Sequence, residues 1–250
     1  LQVGARPVFA DVESDTGNLD PESVARAITP ATKAICVVHY AGYPADVRAL
    51  REIADRHDIA LIEDCAHALG ARDRGSPIGT VGDAAIFSFQ AIKHMTTVDG
   101  GLLTLKDSNR LDAARRLRWF GLSKGVPRTE VDIETAGFKY NMNNVTAAIG
   151  RQQLLTIGDT ITRHTENGRY FDQAFDAMAG VQPARVRKDS NPSYWLYTLL
   201  CDNSDRVELA LVAAGITASK LHRPNHLHSV FAPYATPMPG LLAFYARLLH

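Results

Sequence analysis

Two short apolar runs, AICVV at 34–38 and IALIED at 59–64, bracket a segment with a different period. Between them Val47, Leu50, Ile53 and Ala54 recur at the spacing of one helix face, predicting an amphipathic helix over 46–58. Each flanking run has strand length and no polar alternation, the pattern of a strand buried on both faces of a sheet. Strand, helix and strand in this order make a right-handed crossover that leaves the two strands parallel. An all-β fold and a helical bundle are both excluded by this one stretch, and the class is α/β.

The rest of the chain extends the pattern. Asp20 before Pro21 and Glu22 supplies a helix cap followed by a proline at the first helical position, so a short helix runs through SVARAI. Pro7 to Val12 is expected as a short strand, and DAAIFSF at 83–89 and GLLTL at 101–105 as two more. A basic helix spans 108–120, with Arg115, Arg116 and Arg118 on a solvated face, and SKGVPRTEVDIETAG follows as an irregular connection. From Asn143 to about Met178 the pattern is helical, with Gly150 and Gly158 as expected bends. VQPARVRKDSNP at 181–192 has the composition of a linker. Beyond it YWLYTLLCD is expected as a strand, SDRVELALVAAG as a helix closed by Gly215, and ITASKL as another strand. A final helix is expected from PGLLAFYARLLH to the last residue. The organisation expected is an α/β domain over 1–150, a connecting helix over 151–180 and part of a smaller α+β domain over 181–250. Both ends look cut, so the chain is expected to be a piece of a longer one.

Charge and composition narrow the function. The 250 residues carry 27 Lys and Arg against 27 Asp and Glu, which argues against a nucleic-acid binder built on a basic face. The 46% hydrophobic content supports a large core, and 22% charged residues exclude a disordered chain or a coiled rod. Cys36, Cys65 and Cys201 are odd in number and widely spaced, which suits reduced thiols better than a disulfide framework. No apolar run approaches the roughly 18 residues of a membrane helix. The reading is a soluble, cytoplasmic globular protein with no membrane or nucleic-acid partner.

In an open parallel sheet, ligands bind beyond the carboxyl ends of the strands. Three places qualify: Glu63 and Asp64 with His67 three residues on, Ser88 leading into Lys93, and His39 with Tyr40 after the first strand. A lysine in a partly apolar site becomes a usable amine nucleophile for a Schiff base. An aspartate on the neighbouring strand could keep a pyridine nitrogen protonated, and the two together are what pyridoxal phosphate chemistry needs. Ser88 can donate its hydroxyl to a phosphate, or simply fill space between Phe87 and Phe89. Asp64 can also cap the next helix, and His67 can be a satisfied structural histidine.

The blocks IEDCAHALGA, GTVGDAAIFSFQAIKHMTTVDGG and GFKYNMNNVTAAIGRQQL resemble, in order, signature blocks of the DegT-type nucleotide-sugar aminotransferases. ARPVFADVESDTGNLDPESVARAITPATKAICVVHYAGYPADV resembles the block before them, so the likeness runs in register from residue 4 to about 155. It implies the aspartate-aminotransferase fold (pyridoxal phosphate fold type I), a three-layer αβα large domain with a mostly parallel sheet and a smaller α+β C-terminal domain. It implies pyridoxal 5'-phosphate as cofactor, Lys93 as the lysine that forms the Schiff base and Asp64 as partner of the pyridine nitrogen. By the same resemblance, His67 stands where the family has Gln or His near the ring's phenolic oxygen, and Ser88 where it has a phosphate ligand. The block at 137–144 implies a homodimer in which a polar side chain enters the partner's site; Asn141 is the nearest amide, and Lys139 holds the slot where many relatives have Asn. The substrates implied are a nucleotide-linked keto-sugar and an amino-acid donor, glutamate being expected.

Two other functions stand beside this one. A branch of the same family replaces the lysine with histidine and dehydrates nucleotide-sugars; here Lys93 and His94 are adjacent, and lysine falls in the aligned slot after FSFQAI. A metal-dependent hydrolase could draw on His222, His226 and His228, since such a set can fill three zinc positions, although no acid lies close by.

Overall fold

The computed structural model describes residues 1–250. Its central sheet is built as the 34–64 stretch dictates. Strand β1 (Ala34–Val38) leads through helix α2 (Val47–Arg56) to β2 (Ala60–Asp64), and the two strands pair in parallel from Ala34 opposite Ala60 to Val38 opposite Asp64. Helix α1 (Pro21–Ala27) precedes them, its first turn capped by the Asp20 carboxylate, which accepts from the Glu22 and Ser23 amides. Asp46 caps α2 in the same way through the Ala49 amide.

A small hairpin, β3 (Arg72–Asp73) and β4 (Ser76–Pro77), leads to β5 (Ala84–Ser88), which pairs in parallel with β2, and β6 (Gly101–Leu105) closes the sheet antiparallel to β5. The order is β1-β2-β5-β6, an α/β sheet that is mostly parallel. Its main core lies between this sheet and α1 and α2, where Val24, Val37, Leu50, Ile53 and Leu61 are buried together.

Strand β1 alternates between exposed and buried residues, so the expectation of burial on both faces is corrected. Helices α1 and α2 cover one face; on the other, Val38, Ile86 and Leu103 remain 40%, 41% and 47% exposed. Asp64 shares that open face, because it pairs with both Val38 and Ile86, and Ser88 lies two residues beyond Ile86 on the same side.

Beyond β6, helix α3 (Leu111–Leu117) is shorter than expected, and the irregular arm after it matches the sequence reading. Helices α4 (Asn144–Gln153) and α5 (Ile157–Phe175) break at 154–156 and not at Gly150, which lies inside α4 where a Cβ would come 2.7 Å from the Thr97 methyl. That glycine serves close approach and not a bend.

The stretch 181–192 is not a linker. Strand β7 (Val181–Pro183) joins the antiparallel sheet β10-β9-β7, and β8 (Ser190–Asn191) pairs with β3. Only β9 (Leu199–Cys201) forms from the expected strand at 194–202, since 193–198 bonds to loops and side chains instead. Helix α6 (Ser204–Ala213) is found, but 216–221 and 7–12 form no strand. Helix α7 (Pro239–Arg247) ends before the terminus and gives way to β10 (Leu248–Leu249). No helix is long and apolar enough to cross a membrane.

Candidate active site

Strand β2 ends in two acids, and the pleat sends them to opposite faces. Glu63 points into the core and is fully buried. Its Oε2 accepts from His39 Nε2 at 3.1 Å and the Gly79 amide at 2.9 Å, and its Oε1 from the Val81 and Gly82 amides at 2.9 and 2.5 Å. His39 Nδ1 accepts from the Ala45 amide at 3.0 Å, which puts the ring proton on Nε2. Burial alone would push the Glu63 carboxyl up, yet these hydrogen bonds hold it below its usual range. His39, Glu63 and Cys65 bring ligand atoms within 4.8 Å of one another, but their lone pairs are already committed and burial pushes the Cys65 thiol up, away from a thiolate. The cluster pins the end of β2; it is not a metal centre.

Asp64 turns the other way. Its Oδ1 accepts from the Ala66 amide at 3.0 Å, closing a turn and not capping a helix. One residue pair along the sheet, Ser88 Oγ accepts from the Gln90 amide at 3.3 Å and opens the loop that connects β5 to β6. The Phe89 amide bonds to the Gly100 carbonyl at 2.9 Å and the Thr97 amide to the Phe89 carbonyl at 2.8 Å, so this loop is closed at its base.

Lys93 sits in that loop and is half-buried. Burial pushes its ammonium pKa down while the Asp64 charge opposes the shift. Its Nζ lies 3.9 Å from the centroid of the Trp195 ring, and His67 stacks on the same tryptophan at 3.9 Å and 23°. Burial, with the Lys93 charge second, lowers the His67 pKa to about 3, so the ring is neutral at pH 7. His94, next to Lys93, is turned inward: its Nε2 donates to the Ser193 carbonyl at 2.9 Å and its ring meets His164 edge-on. Burial lowers the His94 pKa to about 4. The two neighbours in sequence have separate surroundings: the Asp64 charge acts on Lys93, while His94 packs against His164 and Ser193.

Of the residues expected from sequence, the structure brings Lys93, Asp64, His67 and Ser88 to one end of the sheet. Asn141 lies apart, on the arm after α3. There its Oδ1 accepts from Lys139 Nζ at 3.3 Å, and Lys139 lies 4.3 Å from the Trp119 ring centroid. Of the three histidines considered for a metal, His222 stacks against His67 with 5.8 Å between ring centroids, while His226 and His228 lie on a separate short turn. Their ligand atoms do not converge. Trp195 is the site residue that sequence reasoning missed; its one signal was the aromatic cluster YWLY, read as part of a strand.

Comparison with known proteins follows the same outline. The chain is 34% identical over 241 residues to the uncharacterized protein MJ1066 of Methanocaldococcus jannaschii, covering 91% of this chain and 62% of that one. Among solved structures it resembles AtS13 from Actinomadura melliaura, with 37% identity and a TM-score of 0.95 over 98% of this chain and 68% of that one. The sugar aminotransferase CalS13 from Micromonospora echinospora gives 35% and 0.95 over 99% and 69%. A sugar aminotransferase of Streptococcus pneumoniae, Spr1654, described as putative and solved in its PLP form, gives 27% and 0.88 over 99% and 70%. The chain thus spans 62% of the curated relative's length. With a family model matching residues 1–244 as well, the chain belongs to the DegT/DnrJ/EryC1/StrS aminotransferase family.

Proposed function

We propose that this protein is a pyridoxal-phosphate-dependent aminotransferase that moves an amino group from an amino acid, with glutamate the expected donor, to a keto-sugar carried on a nucleotide. The observation that carries the reading is the half-buried amine of Lys93, within reach of the Asp64 charge, with the Asp64 and Ser88 side chains on the same open face of the sheet. This donor set fits the cofactor: an amine, an anion for a pyridine nitrogen and a hydroxyl for a phosphate.

Pyridoxal phosphate, when bound, supplies an aldehyde carbon and an electron-accepting ring. Lys93 supplies the nucleophile, and its lowered pKa raises the share of free amine at neutral pH. Once released, the same nitrogen carries the proton taken from the donor's α-carbon, and in the second half-reaction it returns a proton to the sugar carbon. Asp64 favours the protonated state of the ring nitrogen by its charge. His67 is neutral, and the Ala41 amide held by its Nδ1 at 3.4 Å leaves an Nε2 proton to donate to the ring's phenolic oxygen. Ser88 would hold the phosphate through its hydroxyl. In a homodimer, the arm carrying Lys139 and Asn141, where Lys139 Nζ donates to Asn141 Oδ1 at 3.3 Å, would complete the partner's phosphate site through one of the two. We assign residues 1–150 to the large cofactor-binding domain, 151–180 to the connecting helix and 181–250 to the smaller domain.

The test pairs a spectrum with an assay. Lys93→Ala should lose the visible band of the bound cofactor and amine transfer from glutamate to a nucleotide-linked keto-sugar. A variant that keeps both overturns the assignment, and loss of a sugar hydroxyl without amine transfer would select the dehydratase instead.

A further inference from the structure

Lys93 does not rest on an acid: its ammonium lies against an aromatic face, 3.9 Å from the Trp195 ring centroid. Trp195 comes from the segment between β8 and β9, far away in sequence, and that segment is fastened from several sides. The Ser193 amide donates to the Gly42 carbonyl at 3.0 Å and the Leu196 amide to the Ala41 carbonyl at 3.1 Å, which ties it to the turn after β1. His94 Nε2 and His164 Nδ1 meet the carbonyls of Ser193 and Tyr194 at 2.9 and 3.0 Å. Asp172 on α5 accepts from the Tyr194 and Tyr197 hydroxyls at 2.6 and 3.0 Å. The indole N–H then donates to the carbonyl of Ile92, the residue before Lys93, at 2.8 Å.

Packing alone explains part of this. An indole that is 8% exposed needs apolar neighbours and one acceptor, and it has both. Packing does not explain the cation, since a half-buried ammonium would be better solvated by water than by an apolar wall. The electron-rich face of an aromatic ring is the exception, because its quadrupole attracts the charge.

We propose that Trp195 is a positioning residue for Lys93: its indole ring receives the protonated, unengaged amine and holds it beside His67 at the end of the sheet. The proposal rests on the reading that Lys93 is the reacting amine, and it adds where that amine waits. The titratable groups around it are Asp64 from the end of β2, His67 from the turn that follows, His94 from the same loop and His222 across the His67 ring. Asp64 and the indole favour the ammonium, while burial opposes it. His67 and His94 stay neutral at pH 7, so no second cation competes for the ring.

The experiment uses the whole chain without cofactor, its lysines reductively methylated with carbon-13 and observed by NMR. The modified amines keep their charge, and the Lys93 signal is the one missing from Lys93→Ala. In the parent protein this signal should be displaced upfield by the indole ring current relative to the other lysines. Trp195→Leu should return it to the position of the others and lower its titration midpoint; Trp195→Phe should keep an upfield shift of reduced size. A Lys93 signal that coincides with the other lysines in the parent, or one that keeps its position and midpoint in Trp195→Leu, overturns the proposal. Should the leucine variant fail to fold, the parent shift and the phenylalanine variant decide the matter. With no cofactor in the sample, the result is independent of cofactor binding, which the spectrum of Lys93→Ala tests separately.

Discussion

At the scale of single residues, Glu63 and Asp64 show how one peptide step separates structure from chemistry. Glu63 is held by four donors in the core, and Asp64, one residue on, has only its Oδ1 engaged, by the Ala66 amide. Glu63→Gln replaces one acceptor oxygen with an NH₂ group that must face an N–H donor, and it removes the charge that the others stabilise. Leaving a buried N–H donor unsatisfied in this way costs about 1–3 kcal/mol, so the urea midpoint should fall. Asp64→Asn, by contrast, keeps the turn to Ala66, because the amide oxygen still accepts; it should change stability by less than ~1 kcal/mol while shifting the visible band of the cofactor complex and sharply lowering turnover. The sequence made Lys93, Asp64, His67 and Ser88 legible because strand-end positions of a parallel sheet are places where ligands bind. Trp195 was not legible, since its role exists only after the 193–198 segment folds back onto the Lys93 loop.

At the scale of elements, α5 offers an internal control. Gly158 and Gly168 lie in the same helix, and a Cβ at Gly158 would meet nothing within 4 Å, whereas one at Gly168 would be driven into the face of the Tyr194 ring. Gly158→Ala should therefore stabilise the protein by up to about 1 kcal/mol through helix propensity. Gly168→Ala should destabilise it by about 1–3 kcal/mol, because overpacking outweighs the same propensity gain. Thermal unfolding of the two variants side by side measures both signs. The elements that sequence located best, β1, α2, β2 and β6, are those with strong periodicity and nearby partners. It failed at 181–192 and 194–198, where two- and three-residue strands and aromatic side chains are fixed by partners such as Arg72 and Asp172 that no local pattern reveals. The helix expected to run to the last residue instead ends at Arg247, because Leu248 and Leu249 pair with Leu200 and Leu199 of β9.

At the scale of the whole molecule, zero formal charge conceals an acid-sensitive interior. Burial lowers the pKa values of His67, His94 and His250 to about 3, 4 and 4, against an ordinary value of 6.5. The folded state keeps them neutral, whereas the unfolded chain protonates them as pH falls through 6.5. Their contribution to stability is therefore complete above about pH 6.5 and is lost as pH falls toward 4. Denaturant unfolding at pH 7.5, 6 and 5 should show stability falling with acidity, and His94→Gln, which can still donate to the Ser193 carbonyl, should flatten that slope. The same molecule leaves one apolar face of its sheet open, and the central claim concerns the end of that face, where Lys93 is the amine that meets an aldehyde cofactor. The most direct measurement is to incubate the protein with pyridoxal phosphate, reduce it with borohydride and locate the adduct by peptide mass spectrometry. The account predicts the cofactor mass on Lys93 and its disappearance in Lys93→Ala; an adduct spread over the surface lysines with Lys93 unmodified would contradict it.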